Sequence, residues 1–267
     1  MNLKKIILIS GILVLTAGLV IPQNAARLSD AASIVQKSRD RVQAETTSTR
    51  SRMVIRARNG NTTERVIDQY SKKDAQGNSR TVIVFQSPAS IAGTRFLTRE
   101  NANRANDQWI FQPSLGSRAR RLVASEGSSS FLGTDLSNDD ISSMDRRADL
   151  DTHKILREEK YEGHDCYVIE STPKDSGYQY SKMITWISVD DFLNYKIELY
   201  DRRGNQVKLL EVLEYKEVQG IMSMSIMRMT TLAAGTSTTI HADIIRYNDT
   251  IPEVVFTTEF LETGRAR

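Results

Sequence analysis

The feature that most constrains this chain is a long series of short segments in which apolar and polar residues alternate. In residues 49–58, Met53, Ile55 and Ala57 share one face, and arginines occupy most of the other. A period of two residues is typical of a strand with one buried face. Similar segments, separated by turn-forming residues, continue to about residue 247 without a strand–helix–strand pattern. The sequence therefore predicts a mainly β fold, a meander of about 10–11 antiparallel strands.

One of these segments breaks the alternation. Its apolar positions are Met222, Met224 and Ile226, followed by Met227 and Met229. The pattern slips by one residue after Ile226, which predicts a β-bulge. Bulges allow a long sheet to curl, and a curled sheet without a second sheet against it has a concave face that something else must fill. The methionines suit ordinary strand packing, and their flexible side chains also suit a pocket for ligands of variable shape.

Two segments depart from the strand pattern. Residues 28–44 predict an amphipathic helix with Ser29 as its N-cap, because apolar residues recur on one helical face. Residues 124–152 are rich in Ser, Asp and Gly, and within them Ser137 and Asp140 have the spacing of a capping box. We expect a mobile loop and a short helix there, placed to fold over an open face of the sheet.

The N-terminus predicts export. Two lysines precede an apolar run over residues 6–21, and small residues follow it. This is the pattern of a secretory signal peptide, and the run is slightly shorter than the roughly 20 apolar residues that span a membrane. We predict a signal peptide over residues 1–26 and a single domain over residues 27–267, located in the periplasm. An uncleaved inner-membrane anchor is the alternative.

The charge balance argues against a nucleic-acid partner. The chain has 36 basic and 33 acidic residues, and removal of Lys4 and Lys5 with the signal peptide leaves 34 against 33. A nearly neutral chain exerts little attraction on phosphate backbones. The sequence contains one cysteine, Cys166, so no intramolecular disulfide forms and stability depends on burial.

Recognised catalytic and cofactor motifs are missing from the sequence. It lacks the G-x-S-x-G, H-E-x-x-H, C-x-x-C, P-loop and dinucleotide patterns. His153, His164 and His241 do not have metal-ligand spacing, and the aspartates of residues 135–140 lack the glycine and distal glutamate of a calcium loop. The serines at 128–130 have no activating neighbour in the sequence. We predict a protein that is not an enzyme and holds no cofactor or metal.

The order of these features resembles a known family. The block "WIFQP" at residues 109–113 is followed by "RARRL" at 118–122 and "SFLGTDLSNDDI" at 130–141, and "WISVDDF" leads later into "KIELYDRRG" at 196–204. These blocks, and nearly the whole mature chain, resemble the bacterial outer-membrane lipoprotein-sorting proteins. This is the LolA-like group, here in the branch associated with exporters of the resistance-nodulation-division (RND) type. The resemblance implies an incomplete, open antiparallel β-barrel with a helical lid, LolA/LolB-like, around an apolar cavity for acyl chains.

The resemblance also implies a function. Members would act as periplasmic carriers that bind acyl chains of lipoproteins or lipids and move them toward the outer membrane. Partners would be the lipid cargo, an inner-membrane RND-type exporter and an outer-membrane acceptor, and we expect a monomer. Two alternatives stay open: an envelope-sensing regulatory module of the same fold, and a lipid-active hydrolase that would use a serine of the central loop.

The residues expected at the cavity or its mouth are aromatic, basic or flexible and apolar. The aromatic pair at 109 and 111 would line or rim the cavity, and the apolar pair at 131 and 132 would plug it from the lid. The full set is Trp109, Phe111, Arg118, Arg120, Arg121, Phe131, Leu132, Trp186, Met222 and Met224.

The three arginines of this set have three possible roles. A guanidinium at a lipid mouth can hold a phosphate or carboxylate headgroup through two hydrogen bonds. The arginines can instead pair with Asp135, Asp139 or Asp140 and hold the lid closed. They can also be no more than the solvated face of a hairpin.

Overall fold

The residues that the structure describes form one antiparallel sheet of 13 strands. The computed structural model describes residues 30–102, 104–144 and 146–266, so the predicted signal peptide and Ser29 lie outside the described residues. The strands are β1 (Thr46–Arg56), β2 (Thr62–Lys73), β3 (Ser79–Ser87), β4 (Arg95–Arg99), β5 (Asp107–Phe111), β6 (Arg120–Arg121), β7 (Asp151–Tyr161), β8 (His164–Pro173), β9 (Lys182–Ser188), β10 (Asn194–Tyr200), β11 (Gln206–Val218), β12 (Ile221–Thr231) and β13 (Thr236–Tyr247).

The strand order determines where the central loop must run. Strands β1 to β6 follow one another to one edge of the sheet, and β7 to β13 lead from the other edge back to β1, which pairs with β13. The connection between β6 and β7 therefore has to cross from one edge of the sheet to the other. We call it the crossover segment (residues 122–144 and 146–150). Because this segment connects opposite edges, it runs across one face of the sheet and covers it as a lid. A loop between two adjacent strands of a hairpin would instead project from the end of the sheet.

The predicted fold class, an open antiparallel sheet with few helices, is confirmed. The sheet has 13 strands where about 10–11 were expected. Strand β6, with two residues, is too short to show an alternation. A bulge in β12 is also confirmed, one residue before the expected position, because the pairing shifts between Glu214 and Tyr215, opposite Ile226 and Met224, and leaves Ser225 as the extra residue.

The helix α1 (Ala31–Asp40) lies on one face of the sheet, which we call the inner face. Its N-cap is Asp30, whose carboxylate accepts a hydrogen bond of 3.0 Å from the backbone N–H of Ser33, so the helix begins two residues after Ser29, the expected cap. Ala31 and Ile34 are buried against Tyr167 and other apolar residues of β8 and β9. The amphipathic pattern of the sequence is thus explained by packing on a sheet.

The crossover segment covers another part of the inner face and contains α2 (Asn138–Ser142). The predicted capping box is present: Ser137 Oγ accepts from the backbone N–H of Asp140 at 2.9 Å, and Asp140 Oδ2 accepts from the backbone N–H of Ser137 at 2.8 Å. Upstream of this helix, Phe131 and Leu136 are fully buried in the inner-face core, together with Phe85 and Phe96.

The opposite, outer face is covered by the C-terminal residues over β3, β4 and β5. A short 3-10 helix (Glu253–Phe256) and α3 (Thr258–Thr263) bury Phe256, Phe260 and Leu261 against Val82 and Leu97 of the sheet. Helix α3 ends at Gly264, whose φ of 68° is the left-handed conformation favoured at a helix C-terminus. Among the described residues, no helix is both long enough and apolar enough to cross a membrane.

Candidate functional site

A cavity of about 180 Å³ lies between the inner face of β7–β12 and a roof made of α1 and the end of the crossover segment. The surface that its walls present is mainly apolar, so an acyl chain can pack against it without forming hydrogen bonds. The apolar lining residues are Val35, Ala148, Met144, Met183, Ile187, Ile197, Leu199, Leu210, Val212, Met224, Met227 and Met229.

Helix α1 is attached to both halves of the sheet. Ser38 Oγ lies 2.7 Å from the carbonyl oxygen of Phe192 and 3.0 Å from Oδ1 of Asn194, at the turn into β10. Arg39 donates to both carboxylate oxygens of Glu100, immediately after β4, at 3.1 and 3.2 Å. These two side chains are 10% and 8% exposed, so the ion pair is largely withdrawn from solvent. The helix therefore bridges the opening of the curled sheet and roofs the cavity.

A buried polar network connects the lid to the floor of the sheet. The carboxylate of Asp140 accepts hydrogen bonds from Tyr180 at 2.8 Å, Gln179 at 3.1 Å and the Lys208 ammonium at 2.7 Å. The Asp140 and Lys208 side chains are 5% and 16% exposed. Burial, together with the nearby carboxylate of Asp140, raises the pKa of Tyr180 far above its ordinary value. Tyr180 therefore stays a neutral donor to Asp140, and the network holds α2 onto the sheet.

A second charged group lies beside the cavity. Arg146 forms an ion pair of 2.7 Å with Asp151 at the start of β7, and its guanidinium lies 4.0 Å from the ring centroid of Tyr178. Burial is the largest single influence and acts to lower the pKa of Arg146, but hydrogen bonding to Asp151 and the electrostatic effects of nearby acidic groups together outweigh it, and the pKa is raised. Burial raises the pKa of Tyr178 to about 12. Arg146 therefore stays charged and Tyr178 stays neutral, and the Arg146 charge is paired within the protein.

The wall of the cavity also contains a histidine and serine pair. Nε2 of His153 lies 2.8 Å from the carbonyl oxygen of Ala148, and Nδ1 lies 2.8 Å from Oγ of Ser171. Because a carbonyl only accepts, Nε2 carries the proton in the neutral ring, and Ser171 then donates to Nδ1. The two residues are paired across β7 and β8, and the sequence analysis did not predict this contact.

The other half of the inner face is filled by the protein itself. The ring of Phe131 packs edge-on against Phe96, with 5.1 Å between centroids, and at 5.7 Å from Phe85. Leu132 is partly buried against the same core and has a positive φ of 50°. Asp135 ties this part of the lid to β13, because its carboxylate accepts from Thr238 at 2.7 Å. Phe131 and Leu132 thus pack over β3–β5 and do not line the cavity that they were expected to plug.

Trp109 and Phe111 do not line the cavity, which corrects the expectation for them. Ile110, between them, belongs to the inner-face core, and both aromatic residues pack on the outer face with the C-terminal residues. The Trp109 ring has Arg99 at 5.2 Å and Arg121 at 5.9 Å from its centroid. The physical reason is the alternation of the strand, which turns residues 109 and 111 away from the inner face.

The arginines at 118, 120 and 121 pair with carboxylates other than the expected aspartates. Arg118 bonds Glu262 of α3 at 3.2 Å, Arg120 bonds Glu126 at 2.8 Å, and Arg121 bonds Asp107. Arg118 lies next to the C-terminal helix and Arg120 next to the start of the crossover segment, whereas the partner of Arg121 belongs to the neighbouring strand β5. Of these three pairs, the Arg120 pair joins β6 to the lid, and none of the three arginines lines the cavity.

Trp186 and the two methionines also differ in position. Trp186 faces outward, where its indole N–H donates to Glu159 at 2.6 Å and Lys196 lies 3.9 Å from the ring centroid. Met224 lines the cavity, whereas Met222 is 38% exposed at the start of β12 and is not among the lining residues. Of the expected set, Met224 is the residue that the structure places in the cavity wall.

These features define a class: a curled antiparallel sheet, open along one side, that holds an apolar cavity under a helix and a crossing loop. A protein-family model whose description reads "Uncharacterized protein" matches residues 77–263, well over half of the chain, and the chain belongs to that family. A search of curated proteins finds no match.

Solved structures agree with this assignment. A DUF1329 family protein from Desulfovibrio piger ATCC 29098 is 28% identical with a TM-score of 0.82, over 86% of this chain and 97% of the other. An outer membrane lipoprotein-sorting protein domain from Vibrio parahaemolyticus is 25% identical with a TM-score of 0.82, over 87% and 98%. A LolA superfamily protein from Nitrosomonas europaea is 23% identical with a TM-score of 0.70, over 87% and 100%, which shows a shared fold.

The predicted resemblance to the lipoprotein-sorting proteins is therefore confirmed. The association with an RND-type exporter stays a prediction.

Proposed function

We propose that this protein is a periplasmic carrier that binds the acyl chains of lipids or lipoproteins in the inner-face cavity and moves them toward the outer membrane. The observation that supports the proposal most directly is the aliphatic and methionine-rich wall of that cavity. Transfer of a methylene group from water into such a wall is worth about 0.8 kcal/mol. A chain of several methylenes gains enough free energy to bind without any catalytic or metal contact.

The shape of the cavity wall supports a variable cargo. Met183, Met224, Met227 and Met229 contribute unbranched side chains with several rotatable bonds. Such side chains adapt to chains of different length and unsaturation more readily than branched ones. The polar groups at the wall, among them Asp140, Arg146 and His153, are bonded to other groups of the protein, so the acyl moiety is recognised by its apolar surface. The alternative of a regulatory module of the same fold has no particular observation in its favour.

The His153 and Ser171 pair is the arrangement that would favour the hydrolase alternative. In this pair the Ser171 side chain is 5% exposed and directed at the histidine across the strands, as part of the sheet packing. We assign it a structural role that fixes the start of β7 to the end of the crossover segment through Ala148. The proposed carrier function therefore does not require hydrolysis by this pair.

The test is direct. Mass spectrometry of organic extracts from protein purified without detergent should find co-purified fatty acyl lipids, and a fluorescent fatty acid should bind the delipidated protein. Ile197→Trp places a large ring in the cavity wall and should abolish binding. Leu213→Trp, at a residue 46% exposed and outside the cavity lining, is the matched control and should bind normally. Equal binding by both variants would show that the cavity is not the lipid site.

A further inference from the structure

A polar cleft of about 330 Å³ lies next to the apolar cavity. It is formed by the last turns of α1, the turn between β2 and β3, and the end of the crossover segment. Two residues, Arg39 and Arg147, line both the cleft and the cavity. Apolar space and polar space therefore share a wall, which is the arrangement that an amphiphilic molecule needs.

The cations of this cleft differ in how firmly they are held. Arg39 is fixed by its buried pair with Glu100. Arg147 pairs at 2.7 Å with Asp149, whose side chain is 59% exposed. Such an exposed pair contributes little free energy and can be exchanged for another anion. Lys73 has no carboxylate within ion-pair distance among the residues that the structure describes, so it offers an ammonium group to a ligand.

The cleft also contains one carboxylate that is not neutralised by a cation of the described residues. Asp40 accepts a hydrogen bond of 2.7 Å from Gln36 and lies in the same lining as Lys73. A ligand in this cleft thus meets an exchangeable guanidinium, a free ammonium and a carboxylate. The complementary ligand carries an anionic group for the two cations and a hydroxyl or amino donor for Asp40.

We propose that this cleft is the headgroup site for a phospholipid whose acyl chains occupy the cavity. The phosphate is held by Arg147 and Lys73, and the glycerol or ethanolamine part donates to Asp40. Arg39 stays paired with Glu100 and forms part of the wall between the cleft and the cavity. This inference rests on the proposed carrier function and adds to it the chemical class of the cargo, a phosphate-bearing diacyl lipid.

The experiment compares lipids with identical chains and different headgroups. Phosphatidylcholine vesicles carry a trace of chain-labelled phosphatidylglycerol, phosphatidylethanolamine or diacylglycerol, and uptake of the label by the full chain is measured. We expect the two phospholipids to bind at least about tenfold more tightly than diacylglycerol. In Lys73→Gln/Arg147→Gln that preference should fall below about threefold, with binding of diacylglycerol unchanged. Arg58→Gln, in the exposed turn at the opposite end of β2, is the matched control and should keep the preference.

Each other outcome has a definite meaning. Equal binding of phospholipid and diacylglycerol by the parent, or an undiminished preference in the double variant, would overturn the headgroup site and leave the carrier function standing. Absence of uptake for every lipid would overturn the carrier function and the headgroup site together. Calorimetry with inorganic phosphate alone is expected to show no binding at millimolar concentration. Binding of that ion as tight as that of the lipid would assign the cleft to free phosphate and contradict the proposal.

Discussion

Replacement of Phe131 by alanine tests whether the lid opens separately from the sheet. Phe131 is fully buried, and its ring contacts Phe96 and Phe85. A Phe→Ala change at such a position costs about 3–5 kcal/mol. If residues 124–144 form a gate, this cost falls mainly on the closed state of the lid. Strands β1–β5 would then keep most of their stability.

The expected results follow from that magnitude. Because 1.4 kcal/mol is a factor of ten, backbone amides of residues 124–144 should exchange hydrogen at least about 10²-fold faster in Phe131→Ala. A lid that opens more often also increases the population able to bind cargo, so the apparent affinity for a fluorescent fatty acid should rise. Exchange is read by mass spectrometry, with and without the fatty acid.

Phe256→Ala is the matched control. Phe256 is 1% exposed, but it packs on the outer face between the sheet and the C-terminal residues. We expect this variant to lower the free energy of unfolding in urea by about 3–5 kcal/mol while lid exchange and fatty-acid affinity stay at the parent values. If the two variants lose equal global stability and neither changes lid exchange or affinity, the lid is an ordinary part of the core and the reasoning is wrong.

Three further predictions concern the polar groups under the lid. Lys208→Met leaves the buried Asp140 carboxylate without its cation and should lower the free energy of unfolding in urea by about 3–5 kcal/mol; Lys208→Met/Asp140→Asn should recover most of that loss, and a cost below about 1 kcal/mol for the single change would contradict the assigned role. Burial raises the pKa of Asp139, so its contribution to stability is full below the ordinary value of 3.8 and is lost as pH rises through the raised value. Asp139→Asn should therefore be more stable than the parent at neutral pH, with a flatter dependence of unfolding free energy on pH, whereas Asp190→Asn, at an exposed turn, should follow the parent. Purified protein should not hydrolyse a fluorogenic acyl ester, and turnover that disappears in Ser171→Ala, or on replacement of Ser128, Ser129 or Ser130, would contradict the carrier proposal.

The sequence predicted the strands well because a period of two is a local property. It also predicted the bulge near Ile226 and the capping box at Ser137, since each depends on residues a few positions apart. The sequence did not show to which face of the sheet the aromatic side chains of β5 and β9 point. In "WIFQ" and "ITWI" apolar residues occupy both faces, because both faces of these strands are covered. In such a strand no polar face marks the solvent side, so alternation alone does not identify the face that points to the cavity.

The partners of the arginines and the residues of the cavity were beyond sequence reasoning for a related cause. Arg118 and Glu262 are 144 positions apart, and Asp140 and Lys208 are 68 apart. Their meeting depends on how the edges of the sheet and the C-terminal residues are arranged. One local signal was available for α3, since Gly264 follows a short apolar and acidic run that begins after Thr257.

The two halves of the inner face explain why a lid and a cavity occur together. The crossover segment must run from β6 to β7, and it fills the concave face over β3–β5 with Phe131 and Leu136. Over β7–β12 the same segment and α1 form a roof without filling the space beneath. One half of the sheet is thus packed by the chain's own apolar side chains, and the other half leaves room for foreign ones. If the protein carries lipids as proposed, a cargo larger than the cavity can bury more of its surface only by displacing Phe131 from the core over β3–β5. The cost of that displacement then sets the size of lipid that the carrier retains.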